Sequence, residues 1–73
     1  MTNSEELMSL IKERGLKLKY VAEALGLTSY GLSLKINNKN EFKTSEVTAL
    51  CEILGITSLR EKEKIFFARE VDL

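Results

Sequence analysis

Between residues 18 and 29 one apolar helical run ends at a glycine and a second opens almost at once, and no other feature restricts the fold of this chain as much. Leu18, Val21, Ala22 and Leu25 recur at the i, i+3, i+4, i+7 spacing that marks one face of an α-helix. Gly26 follows where a left-handed residue closes a helix at least steric cost. Leu27 returns toward the core, and Thr28 or Ser29 can accept a backbone N–H bond at the start of the next helix. The bend this forces is a helix-turn-helix.

The same punctuation recurs along the chain. Leu7, Leu10 and Ile11 repeat behind the caps Asn3 and Ser4, and Gly15 stands where that helix would stop, which predicts helices over 4–14, 18–25 and 29–36. Thr44 or Ser45 opens a fourth, 45–54, with Val47, Leu50, Cys51 and Leu54 on one face and Gly55 at its end. Ser58 with Glu61 three residues later is a capping-box pattern for a fifth, 58–69. The near copies "ALGLTS" and "ILGITS" read as shared punctuation of helices meeting through a short turn, in preference to an internal duplication. With 73 residues, no proline, few glycines and no strand-like alternation, the chain is expected to form one all-α domain, 1–73, around one small core.

Several function classes are disfavoured by what the chain lacks. It has no histidine and a single cysteine, so neither an internal disulfide nor the usual zinc, acid-base or nucleophile clusters can be assembled, and no enzyme, cofactor or metal site is expected. Cys51 reads as a small buried hydrophobe. The opening "MTNSEELMSLIKERG" fits neither a signal peptide nor a membrane span of about 20 apolar residues, so a cytoplasmic location is expected.

Eleven basic and eleven acidic residues cancel, which argues against an indiscriminate nucleic-acid binder. Their distribution is uneven. Residues 12–43 hold Lys12, Arg14, Lys17, Lys19, Lys35, Lys39 and Lys43 against three acids, a surplus of four, while each flank is two negative. No acid falls between Glu23 and Glu41. On a helical wheel Leu32 and Ile36 share the core side, whereas Tyr30, Leu34 and Asn37 point the opposite way with Ser33 beside them. Such a face suits a major groove: Ser and Asn can bond base edges, Leu34 and the Tyr30 ring can pack on thymine methyls, and Thr28 and Ser29 at the helix start can meet a phosphate. The alternatives are that Leu34 completes the core or a dimer contact, and that Tyr30 lies over the second helix. Gly31 costs about 1 kcal/mol relative to alanine inside a helix, which close approach of a backbone would justify.

These residues resemble the Xre family of phage-repressor-like helix-turn-helix proteins, the class of the Cro and lambda-repressor DNA-binding domains. The likeness is most specific over "LKYVAEALGLTSYGLSLKINNKNEF", with Ala22, Gly26, Leu27 and Leu32 at motif positions, and extends loosely to about residue 56. The run "GLSLKINNKNEF" is similar to small phage-borne members. The resemblance implies a compact five-helix lambda-repressor-like domain whose second and third helices read double-stranded DNA, with no cofactor. It implies that Thr28, Ser29, Tyr30, Ser33, Leu34 and Asn37 face the groove, and that Lys39 and Lys43 meet phosphates. Lys17, Lys19 and Lys35 join them as expected phosphate contacts. Three departures stand out: Leu18 replaces the usual phosphate-anchoring glutamine, Asn38 replaces the exit-turn glycine, and Asn40 replaces a common basic residue.

In the final stretch "IFFAREVDL", Phe66 shares a helical direction with Leu59 while Phe67 projects about 100° away. Phe67, Val71 and Leu73 therefore form an expected self-association surface, such as a two-fold dimer on half-sites one DNA turn apart would use. The alternative is that Phe67 seals a groove between the fifth and first helices. The leading expectation is a sequence-specific transcriptional regulator, a repressor or Cro-like switch of phage or mobile-element origin. The other is a protein-interaction module, such as an antirepressor, that kept the fold without strong DNA binding.

Overall fold

The computed structural model describes residues 1–69. Five helices follow in order: α1 (Ser4–Glu13), α2 (Leu18–Ala24), α3 (Ser29–Ile36), α4 (Thr44–Leu54) and α5 (Leu59–Phe66), and the described residues contain no strand. Val71 and Leu73, assigned above to a self-association surface, lie outside the described residues.

The apolar stripes converge as their periodicity requires. Leu7 and Ile11 of α1, Val21 of α2, Leu32 and Ile36 of α3, Leu50 and Leu54 of α4 and Ile65 of α5 form the closed centre of the core. Leu18, Leu25, Leu27 and Val47 pack on its margin, half-buried. Helix α2 packs mainly on α3, α1 touches α3 and α5, and α2 reaches α4. Cys51 is buried within this core, and burial raises its thiol pKa above the ordinary value.

The bend between α2 and α3 follows from backbone hydrogen bonding. Leu27 N–H donates to Ala22 O at 2.8 Å and Gly26 N–H to Glu23 O at 3.0 Å, while Gly26 sits at φ +73°. This is a Schellman closure, which satisfies carbonyls that a helix end would otherwise leave unpaired and requires one left-handed residue. Thr28 then caps α3, its side-chain oxygen accepting from Gly31 N–H at 2.9 Å. The second glycine motif, at Gly55, ends α4 in the same way with Ile56 N–H on Cys51 O, and Ser58 caps α5 by accepting from Glu61 N–H.

Helix boundaries fall within one residue of expectation except the end of α5. Helix α4 starts at Thr44, one of the two openings expected, with Lys43 as its cap residue: the Glu46 carboxylate accepts from Lys43 N–H at 2.9 Å, and Glu46 N–H, which a lysine side chain cannot serve, bonds Lys43 O at 2.9 Å. Helix α5 ends at Phe66 and not at Arg69: Phe67 leaves helical geometry at φ −125°, ψ 37°, and the chain turns back to pair Ala68 N–H with Met1 O. Leu59, although in register with buried Phe66, is 78% exposed, because the first turn of α5 projects beyond the core.

Candidate nucleic-acid interface

The amphipathic division of α3 positions the face expected to meet DNA. Leu32 and Ile36 are closed off in the core, and their burial turns Tyr30, 74% exposed, outward. Ser29 and Asn37 are exposed, and Ser33 and Leu34 half-buried. Asn37 Nδ2 folds back to donate to Ser33 O at 2.9 Å, so these two polar residues form one connected edge. Thr28 is exposed at the N-terminal end. Gly31 leaves room for the Thr28 cap: a Cβ there would lie 3.1 Å from Thr28 Oγ1. That is a local reason for the glycine that needs no approaching backbone.

Lys17 and Lys19 stand exposed at the start of α2, and Lys39 and Lys43 in the stretch 37–43 that follows α3. Lys35 differs from its expected role as a phosphate contact. Its ammonium bonds both Glu46 carboxylate oxygens, at 2.6 and 2.8 Å, and its side chain is 12% exposed. The charge is directed to Glu46 at the start of α4 and is already paired within the protein. Burial pushes the Glu46 carboxyl pKa up, but the Lys35 ammonium and the Lys43 amide outweigh this and leave it below the ordinary value.

Further residues hold α3 in place. Asn38, at φ +64°, takes the left-handed position that closes α3, with Lys39 N–H on Leu34 O at 2.8 Å. Its side chain pairs reciprocally with the backbone of Thr2: Thr2 N–H donates to Oδ1 and Nδ2 donates to Thr2 O, both at 2.8 Å. Ser4 Oγ donates to Ile36 O, and Asn3 N–H to Ile65 O at 2.7 Å, so residues 1–4 tie the exit of α3 to α5. Nothing in the sequence marked Thr2 or Ser4 for this role. Glu46 had one legible signal, its three-residue spacing from residue 43, hidden by the absence of an acceptor on Lys43.

The described residues contain no group of His, Cys, Asp or Glu able to hold a metal ion, and no helix long and apolar enough to cross a membrane. The family model of the Cro/C1-type HTH DNA-binding domain matches residues 6–59. The chain belongs to this family. The match runs from α1 through the helix-turn-helix and α4 to the first residue of α5, so this is an Xre-like, all-α helix-turn-helix DNA-binding protein. No curated protein and no solved structure gave a match.

Proposed function

We propose that the protein is a sequence-specific transcription regulator that occupies a double-stranded operator and acts as a repressor or Cro-like switch, without a cofactor. The observation that carries this reading is the acid-free outer face of α3, with Tyr30 and Asn37 exposed and Ser33 and Leu34 half-buried, flanked along the chain by the exposed lysines 17, 19, 39 and 43. Ser33 and Asn37 bond base edges, and Tyr30 and Leu34 pack on thymine methyl groups. Thr28 and Ser29 meet the backbone at the helix start, and the four lysines neutralise phosphates. With arginine and free lysine both missing from this face, guanine is not read by the usual bidentate contact, and the operator half-site is rich in A·T pairs. A phage or mobile-element origin rests only on the likeness of "GLSLKINNKNEF" to small phage-borne members.

Selection of bound sequences from a random DNA pool at moderate salt tests binding, specificity and symmetry together. An A·T-rich motif is expected, as an inverted repeat if two copies bind. Asn37→Ala should relax preference at one base pair, while Lys39→Ala should lower recovery of all sequences alike. No enrichment from a folded sample would sink this reading and favour a protein-interaction module.

A further inference from the structure

Residues 37–43 leave the reading helix and enter α4, and both ends of the stretch converge on one carboxylate. Glu46 holds Lys35 Nζ, from the last turn of α3, and the Lys43 backbone N–H, at the entry to α4. The residue is 7% exposed, so these bonds are made largely out of water. Lys39 stands between the two anchors and Lys43 is itself the second; these are the exposed lysines of the stretch that the functional reading above places on phosphates.

We infer that Glu46 is a positioning residue for DNA binding: its carboxylate fastens the end of the reading helix to the start of α4 and so fixes the loop that presents Lys39 and Lys43. This inference rests on that functional reading. An acid beside a DNA surface would by charge alone weaken binding, and here it also consumes the charge of Lys35. What it returns is a loop already ordered before DNA arrives, so that ordering is not charged against association. The two effects have opposite signs, which makes the role separable from simple electrostatics.

Glu46→Gln preserves shape, removes the negative charge and leaves one carbonyl oxygen to serve donors that two oxygens served before. With the loop freed, affinity for the selected operator and for unrelated DNA should fall together, about tenfold, the scale set by ordering two lysine side chains on binding. Backbone amides of Lys39, Asn40 and Lys43 should exchange with solvent faster than in the wild type, at a temperature where both proteins are folded. Binding that is unchanged or tighter, with unchanged exchange, overturns the inference, because release of Lys35 toward DNA predicts tighter binding.

If Glu46→Gln does not fold, Lys35→Met/Glu46→Leu takes its place, since replacing both partners of a buried pair with apolar groups is commonly neutral or stabilising. Its melting temperature should fall only slightly, from the lost acceptor of Lys43 N–H, and it should still show the faster loop exchange and weaker binding. Retained exchange and affinity would again refute the role of Glu46. A wild type that binds no DNA at low salt defeats the functional reading, and the exchange measurement then decides alone whether the carboxylate fixes the loop.

Discussion

Lys35 and Glu46 show what the charge pattern of a sequence conceals. The surplus of basic residues over 12–43 was legible, but not which lysines keep their charge for a partner. Lys35 lies at the border between the core side and the outer side of α3, and only the folding back of the chain through residues 37–43 brings Glu46 within 2.6 Å of it. A wheel drawn for one helix carries no information on what the next one places beside it. Because the folded-state pKa of Glu46 is depressed, its contribution to stability is present above the unfolded value of about 4.3 and is lost as pH falls through the lower folded value. Acid unfolding followed by far-UV circular dichroism should therefore show wild-type stability dropping below about pH 4.3 more steeply than that of Lys35→Met/Glu46→Leu. Parallel acid profiles for the two proteins would contradict the assigned ion pair.

At the scale of helices and turns, most of the fold could be read in advance, because helix ends are written in residues with few alternatives. Gly26 and Asn38 adopt the left-handed geometry their positions required, and Thr28 caps α3 as its hydroxyl allowed. The one boundary far from expectation, the end of α5, arose where the chemistry was supplied from a distance, by pairing with residues 1–3. Asn38 combines both kinds of information, since its backbone role was legible and its grip on Thr2 was not. Asn38→Gly keeps the left-handed turn and loses two side-chain hydrogen bonds, a net cost of about 1–3 kcal/mol. Asn38→Ala loses the same bonds and must also hold a side chain at positive φ, which adds about 1–2 kcal/mol. Urea unfolding should rank the wild type above Asn38→Gly and that above Asn38→Ala; an alanine variant as stable as the glycine one would show that the turn had moved.

For the whole molecule, zero net charge leaves little long-range attraction to DNA beyond the local surplus of basic residues over 12–43, so binding as more than one copy would add affinity that a single copy lacks. If a second copy binds, the exposed end of α5 offers it an apolar contact. Phe67 is 59% exposed, and with Leu59, Lys62 and Glu63 it lines an open concavity of about 330 Å³ on the outside of α5. Sequence left two positions for this ring, sealing the first helix against the fifth or facing outward. The choice depended on α5 stopping one residue before Phe67, which periodicity does not reveal. An exposed ring contributes little to the core, so Phe67→Ser should leave the melting temperature nearly unchanged. If two copies associate through this end, each half-site raises the local concentration of the second copy, and a linked pair can exceed single-site affinity by about 10²–10⁴-fold. Phe67→Ser should then bind an isolated half-site as the wild type does and lose most of the additional affinity for an inverted repeat. Titration of both DNAs at one salt concentration makes the comparison. Equal losses on the two would place Phe67 at the DNA itself, and no loss on either would show that the chain binds as a monomer or associates through another face.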